Sequence, residues 1–401
     1  MHEIINADAA LSGERRTLLV LGGSLYQVPF IQAARQLGVY VITADNRPDN
    51  PGHVLADRYI ECSTVDVQGI LRIAQECRVD GILAPATDVA LDAVAAAVDA
   101  LGLAGPGHRC VDALTRKAAF RAYQQQAGLP HPCLVHDPQP VSYPLIVKPN
   151  RGSGSKWIQV VDGAAHLAQA RVDAAAFSLD GIAVCEQFIA GRQGTAEGMV
   201  RQGKVPLMMV TDRLTAQAPH VGTLGHRTPS TLADVIQHEL RQQIEKVFGD
   251  LGYTDGPFDG DFVVADGVVY LLELTPRVGG NSLTKLWAAS QGVDMPRVAV
   301  LEALGVRQSV AQRRVLPAAV RILSVQQSGH LRYDMGAAQA LARDGRVFSL
   351  ELDCPPGSPV EAFADGRHRV GDLTIAANTP AEVDALLADV LARLNLGVTA
   401  A

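Results

Sequence analysis

Short apolar runs alternate with helical patterns over the first hundred residues, and this alternation constrains the fold more than any other feature. The run Thr17–Leu21 ends at a Gly-Gly pair, and a second run over residues 39–43 is followed by Asp45. A helical pattern over about 26–37 separates the two runs. Continuous apolar runs are typical of parallel strands that are buried on both faces. Strands that alternate with helices predict a doubly wound parallel sheet.

The same alternation predicts the rest of this sheet. Further strands are predicted at 59–62, 81–84 and 102–105, with helices over about 66–77 and 88–101. The glycines after the first strand lie in Gly22-Gly-Ser-Leu-Tyr-Gln27, which lacks the GxGxxG spacing of a dinucleotide site. We therefore do not expect this domain to bind NAD.

From about residue 143 the pattern changes to strands joined by glycine turns, which predicts a largely antiparallel α+β block. A helix containing residues 114–126 precedes this block and ends at Gly and Pro. The block's predicted strands lie at 144–148, 157–161, 183–189, 195–200, 205–211, 260–264 and 268–274, and its helices at about 164–176, 231–251 and 282–291. A smaller α+β unit is predicted from about residue 310, with strands at 316–323 and 347–352 and a closing helix over 380–396.

Composition excludes several classes of protein. The 401 residues amount to two or three domains, and a hydrophobic content of 48% can fill a large core. No apolar run approaches the ~20 residues that span a bilayer, and the net charge of −7 argues against nucleic acid as the main partner. Six scattered cysteines without a CxxC pair, and a polar first segment, predict free thiols and a cytoplasmic location.

A lysine-flanked glycine segment is the sharpest local feature. A predicted strand ends in Lys148, the loop Gly152-Ser153-Gly154-Ser155 follows, and Lys156 opens the next strand. Glycine lets backbone N–H groups converge on phosphate oxygens, and flanking ammonium groups add positive charge. Only six of the 35 basic residues are lysine, so their clustering is informative. The segment indicates a phosphate-binding loop, although an ordinary hairpin with a flexible turn has the same pattern.

A pair of acids lies about 100 residues later, on two strands joined by a tight turn at residues 265–267. Antiparallel pairing of these strands would place Asp261 beside Glu273, with Arg277 and Asn281 nearby. Mg²⁺ takes a few carboxylates together with substrate phosphates. The pair is thus a candidate magnesium site, and two surface acids with a structural arginine are the alternative. A third candidate is Lys117, on the helix that precedes the strand-rich block.

Taken together and in this order, these segments resemble the ATP-grasp superfamily of carboxylate–amine ligases. Its members include biotin carboxylase, carbamoyl-phosphate synthase and D-alanine–D-alanine ligase. The resemblance covers nearly the whole chain and implies a mixed α/β and α+β architecture. It implies a Rossmann-like domain over 1–112, an ATP-grasp domain over 113–308 with a mobile lid at about 125–188, and a small α+β domain over 309–401.

The resemblance also implies which residues bind ATP. Lys117 matches the first phosphate-binding lysine, Lys148 the lysine at the end of the lid strand, and Lys156 the basic position after the glycine loop. The loop Gly152, Ser153, Gly154 and Ser155 would cover the β- and γ-phosphates. Glu186-Gln-Phe188-Ile189 matches the hinge that receives adenine, with Glu186 and the backbone of Phe188 and Ile189 reading its edge. Gln193 stands at the ribose position, where the family often has Glu.

The metal and substrate residues follow from the same resemblance. Asp261 and Glu273 match the two acids that bridge Mg²⁺, for which Mn²⁺ can substitute, and Arg277 matches the arginine that steadies the acyl phosphate. Asp261 is shorter than the usual Glu, and Thr275 replaces the asparagine of the second metal site. Asn281 is an alternative ligand there. Candidates for substrate contact are Arg213, His226, Gly279, Gly280 and Asn281, and Glu197 lies on a strand that is expected to face the site.

The expected activity is ATP-dependent ligation. A small carboxylate would be activated as an acyl phosphate and joined to an amine, with release of ADP and phosphate. Both substrates would be small molecules, and the resemblance suggests a homodimer with neither nucleic acid nor membrane as a partner. Two alternatives stay open: a bicarbonate-activating carboxylase of the purine-pathway type, and a non-catalytic ATP-binding protein.

Overall fold

A four-stranded parallel sheet forms the first part of the molecule, as the alternation predicts. The computed structural model describes residues 15–135, 142–154, 156–216, 221–308 and 315–399. The strands run in the order β3-β2-β1-β4, with all pairs parallel. They are β1 (Thr17–Leu21), β2 (Tyr40–Asp45), β3 (Arg58–Glu61) and β4 (Gly81–Leu83). The intervening helices are α1 (Val28–Gln36), α2 (Val67–Glu76) and α3 (Leu91–Leu101).

Strand β1 is buried on both faces, which explains its unbroken apolar sequence. Leu18 and Val20 pack against α1, whereas Leu19 and Leu21 pack against α2 and α3. Successive side chains of a strand point to opposite faces, so a strand between two helical layers needs apolar residues at every position.

Two predictions in the next segment are wrong. Residues 102–105 form no strand, because Gly102 at φ +66° ends α3 in the left-handed conformation and Gly105 at φ +144° continues the turn. The helix predicted through 114–126 is two helices, α4 (His108–Thr115) and α5 (Lys117–Gln126). Arg116 between them is extended, which breaks the helix and places Lys117 at the start of α5.

A small antiparallel sheet follows, with strand order β6-β5-β7. Its strands are β5 (Leu145–Pro149), β6 (Gln159–Val161) and β7 (Ala183–Gln187), and helix α6 (Ala164–Phe177) covers one face. Leu145 and Val147 point into this small core, where they meet Ala170 and Ala174 of the helix. Alternation along β5 therefore turns Ile146 and Lys148 to the other face. These elements fall within the segment expected to act as a lid.

The largest sheet has eight strands in the order β12-β11-β8-β9-β10-β13-β17-β15, and all of its pairs are antiparallel. The strands are β8 (Arg192–Arg201), β9 (Lys204–Thr215), β10 (Thr223–Thr228), β11 (Gly256–Ala265), β12 (Val268–Thr275), β13 (Ala318–Ser324), β15 (Val347–Leu352) and β17 (Arg369–Ala376). Helix α7 (Asp234–Leu251) packs on one face, and α8 (Leu283–Gln291) and α9 (Met295–Ala303) lie toward the other. Neither β10 nor α9 is among the elements predicted from the sequence.

The C-terminal residues extend this sheet and add a small layer of their own. Strands β14 (Gly329–Arg332), β16 (Pro359–Val360) and β18 (Gly397–Thr399) form a three-stranded sheet beside α10 (Met335–Leu341) and α11 (Pro380–Leu394). Because β13, β15 and β17 pair into the large sheet, that sheet continues across the proposed boundary at residue 309, and the boundaries stay predictions. Within the described ranges, no helix has the length and apolar character to cross a membrane.

Candidate active site

Three adjacent strands of the large sheet present two rows of polar side chains on one face. Asp261 pairs with Glu273 on the neighbouring strand, as predicted, and a β-bulge between Asp261 and Phe262 sets this register. Each row crosses β8, β11 and β12, and the rows are Thr195–Asp261–Glu273 and Glu197–Asp259–Thr275. Residues two apart on a strand share a face, so the two rows form one polar surface.

Asp261 is held as a carboxylate by two neighbours. It accepts hydrogen bonds from Thr195 Oγ1 at 2.7 Å and from Arg213 Nη1 at 2.5 Å. Burial favours the neutral acid, but the Arg213 charge and the Thr195 hydrogen bond outweigh it and lower the pKa of Asp261. Arg213 is itself oriented by a 2.7 Å hydrogen bond from its Nε to Thr223 Oγ1. The structure thus places Arg213 beside Asp261, one of the two candidate metal-binding acids.

Glu273 lies near two other acids, Asp88 and Asp261, and a cation would be attracted to this negative charge. Its closest positive partner is Lys117, whose Nζ lies 3.9 Å from Glu273 Oε2. Burial raises the pKa of Glu273, and the charges of Asp88 and Asp261 act in the same direction. Among the described residues no group of three or more His, Cys, Asp or Glu side chains could hold a metal ion alone. Two carboxylates fit Mg²⁺, which takes its remaining ligands from water and phosphate.

Arg277 joins the large sheet to the first domain. Its Nε donates to Asp88 Oδ1 at 2.7 Å, and its Nη1 donates to Asp259 Oδ2 at 2.5 Å. Burial together with the charges of Asp261 and Asp88 raises the pKa of Asp259 to about 6, against the opposing charge of Arg277. The arginine is therefore fixed in place by one acid from each side of the cleft.

Thr275 and the turn after it form the next part of the site. The Thr275 hydroxyl donates to the backbone carbonyl of Asp259 at 3.2 Å, so its oxygen lone pairs stay available. Asn281 and Ser282 both have left-handed backbone, with φ +51° and +61°. Such strain in residues other than glycine clusters at functional sites. Gly279 leaves no room for a side chain, because a Cβ there would lie 2.9 Å from Asp259 Oδ1.

A buried ion cluster supports the small sheet. Lys148 Nζ lies 2.7 Å from Glu186 Oε2, and Arg121 Nε lies 2.9 Å from Glu186 Oε1. Glu186 is fully buried, and the two cations lower its pKa to about 2 although burial opposes ionisation. Both carboxylate oxygens are thus engaged by cations. The side chain that the resemblance assigns to the adenine edge instead orients Lys148.

The glycine loop lies over the cleft between the domains. Ser153, Gly154 and Lys156 line this cleft, and Gly154 has φ +76°, a conformation that glycine adopts without strain. Gly152 lies just before them at the start of the loop. Ser155 lies outside the described residues.

Two cavities meet at the acids. The apolar pocket, of about 700 Å³, lies between the small and large sheets. Its apolar walls are Ile146, Ile158, Phe188, Ile189, Val263 and Leu272, and its polar residues include Lys148 and Gln193. The polar cleft, of about 1820 Å³, lies between the first domain and the large sheet and is lined by residues that include Thr275, Arg277, Gly280 and Asn281. Arg213, Asp261 and Glu273 line both cavities.

Two buried polar atoms on the wall of the polar cleft have no hydrogen-bond partner among the residues that the structure describes. They are His226 Nε2 and Asp259 Oδ1. His226 Nδ1 pairs with Thr211 Oγ1 at 3.1 Å, and burial, aided by the charge of Arg213, lowers the pKa of His226 to about 3. A neutral imidazole with a free nitrogen can exchange a hydrogen bond with a ligand.

Sequence reasoning missed three polar residues that organise this site: Asp88, Arg121 and Asp259. Asp259 had a readable signal, because it lies two positions from Asp261 on one strand and must share its face. Glu197, which was expected to face the site, lies in the same row as Asp259. Glu197 is buried, and its Oε1 accepts a 3.4 Å hydrogen bond from Gly279 N–H. Asp88 and Arg121 had no such signal, because their partners are 189 and 65 residues away in sequence.

Comparison with protein families identifies two segments of the chain. Residues 116–281 match the ATP-grasp domain, and residues 321–399 match the L-amino acid ligase C-terminal domain 2. Lys117, the lysines of the small sheet, both acids and Arg277 all lie within the first match.

Individual proteins are similar to this chain at low sequence identity. Uncharacterized protein y4rH of Sinorhizobium fredii is 25% identical over an alignment of 394 residues that covers 89% of this chain and 78% of that protein. The large chain of carbamoyl phosphate synthase from Neisseria meningitidis serogroup B is 24% identical over an alignment of 230 residues that covers 54% of this chain but only 21% of that protein. The L-amino acid ligase from Bacillus licheniformis has a TM-score of 0.81 at 21% identity, covering 97% of this chain and 100% of that structure.

Proposed function

We propose that this chain, which belongs to the ATP-grasp superfamily, activates a small carboxylate as an acyl phosphate and joins it to an amine, with release of ADP and phosphate. The observation that carries the proposal is the meeting of the apolar pocket and the polar cleft at Arg213, Asp261 and Glu273. A nucleotide in one cavity would present its terminal phosphate to a carboxylate in the other. The matched C-terminal domain of the L-amino acid ligases supports an amino acid as one substrate.

The apolar pocket suits the base and ribose of ATP. Its apolar walls can sandwich a flat ring, and the few polar residues among them can orient it. The backbone of Phe188 and Ile189 reads the adenine edge, because Glu186 is occupied by Lys148 and Arg121. Gln193 is placed to bind the ribose hydroxyls. Lys117 and Lys148 meet the phosphates as compact positive charges.

The metal fits the opposed acids. Asp261 and Glu273 would hold Mg²⁺, with Thr275 and Asn281 as the oxygen donors beside them. When bound, the ion neutralises charge on the phosphates during transfer. Lys117 adds a second positive charge to the same region, and Gly152, Ser153, Gly154 and Lys156 would shield the phosphates from water.

For this reaction the protein must mainly position the reactants and stabilise the charge that develops on them. A carboxylate oxygen attacks the γ-phosphorus, the bond to the ADP oxygen breaks, and the product is an acyl phosphate with a good leaving group. Arg277, fixed by Asp88 and Asp259, is placed to stabilise charge on that acyl group. The amine then attacks the acyl carbon, phosphate leaves, and the amine loses a proton. His226, with its free Nε2, lines the cleft in which this amine arrives.

A substrate screen tests this proposal. We expect ADP release that depends on one carboxylate and one amine, measured by a coupled ADP assay over a matrix of amino acids, other small carboxylic acids and amines with Mg·ATP. Bicarbonate with an amine forms a separate arm of the same screen. Turnover in that arm alone would replace the ligase by a carboxylase. ATP binding without ADP release in any arm would support a non-catalytic protein.

A further inference from the structure

Three cations from three parts of the chain meet at the polar cleft. Arg47 follows β2 of the first domain, Lys156 belongs to the glycine loop of the small sheet, and Arg367 precedes β17 in the C-terminal part. All three line the same cavity as Asp261 and Arg277. Elements far apart in sequence thus supply positive charge to one place.

Hydrogen bonds hold both arginines in place, through the backbone of Arg47 and the side chain of Arg367. The Arg47 backbone N–H donates to Asp45 Oδ1 at 3.2 Å, and its carbonyl pairs with His53 Nε2 at 3.0 Å. The Arg367 side chain forms two hydrogen bonds with Asp365, at 2.9 Å from Nε and 2.7 Å from Nη2, and its guanidinium lies 5.9 Å from the Trp157 ring centre. One edge of the Arg367 guanidinium is therefore held by Asp365. Arg47, Lys156 and Arg367 all still line the polar cleft.

Nearby acids neutralise only one of the three cations, because Asp365 forms an ion pair with Arg367. Asp365 is already engaged by Arg367, and Asp45 accepts hydrogen bonds from the Gly23 and Arg47 backbones. Over the part of the chain that the structure describes, neither Arg47 nor Lys156 forms an ion pair. Burial lowers the pKa of Lys156, and the repulsion of Arg367 and Arg47 adds to the effect against the attraction of Asp365. An entering anion would relieve this repulsion.

We propose that Arg47, Lys156 and Arg367 form a subsite for a second anionic group on a substrate, a carboxylate or a phosphate that is not the group being activated. The inference rests on the proposed function, because it assigns the polar cleft to the substrates. The remaining lining agrees with it, since Ser24, Asn50, Thr64 and Thr87 are polar and suit a hydrophilic ligand. Guanidinium and ammonium groups from separate elements bind such anions by charge-assisted hydrogen bonds.

This subsite also connects the three parts of the chain that surround the polar cleft. Because the three cations belong to the first domain, the small sheet and the C-terminal part, one anion would bridge all three. A neutral substrate of the same length would leave them repelling one another. The subsite therefore selects acidic over neutral substrates.

Binding and turnover of a defined panel test the subsite. L-aspartate, L-glutamate and O-phospho-L-serine are compared with L-alanine, L-methionine and L-lysine, by calorimetry with Mg²⁺ and a non-hydrolysable ATP analogue and by ADP release with ATP. We expect at least one acidic compound to bind at least about tenfold more tightly than every neutral or basic one. Whether L-aspartate and L-glutamate or O-phospho-L-serine binds more tightly shows whether the subsite prefers a carboxylate or a phosphate.

Variants locate the effect. The double substitution Arg47→Gln with Arg367→Gln should weaken binding of the preferred acidic compound at least about tenfold and leave the affinity for the ATP analogue within about twofold. The matched control is Arg72→Gln with Arg343→Gln, which removes the same charge from exposed sites of the same two regions. The control should bind like the wild type.

The outcomes separate this inference from the proposed function. Equal binding of acidic and neutral compounds, or of none of the panel, overturns the subsite. Loss of affinity for the ATP analogue alone in the double variant also overturns it and assigns the cluster to the triphosphate. Selective binding of an acidic compound without ADP release from any pairing would keep the subsite and remove the ligase.

Discussion

Glu273→Gln is expected to lower kcat for substrate-dependent ADP release by at least about 10²–10³-fold while the fold stays intact. The substitution keeps the shape of the side chain and removes its charge. Glu273 pairs with Asp261 on the adjacent strand, and its Oε2 lies 3.9 Å from Lys117 Nζ. Its negative charge would therefore act on both the proposed metal and Lys117. An amide replaces neither contribution.

The control for this variant is Glu76→Gln, on the exposed surface of α2. It should have wild-type kcat. Circular dichroism and the thermal midpoint of both variants check that they are folded. A Glu273→Gln enzyme whose kcat stays within about tenfold of the wild type would remove Glu273 from the reaction centre.

Glu186→Gln is expected to reduce the free energy of unfolding by about 3–5 kcal/mol, because it leaves two buried cations without their shared partner. The carboxylate is fully buried and lies 2.7 Å from Lys148 and 2.9 Å from Arg121. The unfolding midpoint in urea and in a thermal scan measures the loss. Nucleotide affinity should fall as well, since Lys148 loses its anchor.

Acid pH should reproduce this loss in the wild type. The pKa of Glu186 is lowered to about 2 in the folded protein, so the folded state resists a proton that the unfolded state binds near pH 4.5. The contribution of Glu186 is therefore complete above about pH 4.5 and is lost as pH falls toward 2. Wild-type stability should fall more steeply over this range than that of Glu186→Gln.

A double-mutant cycle separates the ion pair from packing. Lys148→Met removes the second charge, and the variant carrying both changes should be less destabilised than the sum of the single variants, with a coupling of about 1–3 kcal/mol. Strict additivity would mean that the two side chains contribute independently. A Glu186→Gln protein as stable as the wild type would show that the cluster does not stabilise the fold.

The sequence predicts those parts of the fold that depend on local pattern. The run Thr17–Leu21 predicts its strand correctly, because a strand buried on both faces must be apolar throughout. The hairpin of β11 and β12 is also predicted, since Asp266 and Gly267 both adopt the positive φ that a two-residue turn requires. A regular count from this turn would pair Asp261 with Leu272, and a one-residue β-bulge shifts the partner of Asp261 to Glu273, which the turn alone does not predict.

Features that depend on distant partners could not be predicted in this way. Strand β10 has the sequence TLGHRT, whose polar residues hide a strand stabilised by its neighbours β9 and β13. The roles of Asp88 and Arg121 depend on contacts across the cleft and the sheet. The role of the Glu186 carboxylate could not be assigned from its motif alone, because its partner Arg121 lies on helix α5, 65 residues away in sequence.

Transfer of an oxygen isotope from the carboxylate to phosphate tests directly whether the carboxylate is activated as an acyl phosphate. A carboxylate substrate from the screen, labelled with ¹⁸O in its carboxyl group, is turned over with Mg·ATP and the amine, and the released phosphate is analysed by mass spectrometry. Because the carboxylate oxygen attacks phosphorus and leaves with the phosphate, we expect one ¹⁸O in each phosphate released. Unlabelled phosphate alongside a labelled amide, or ¹⁸O found in AMP, would contradict activation as an acyl phosphate.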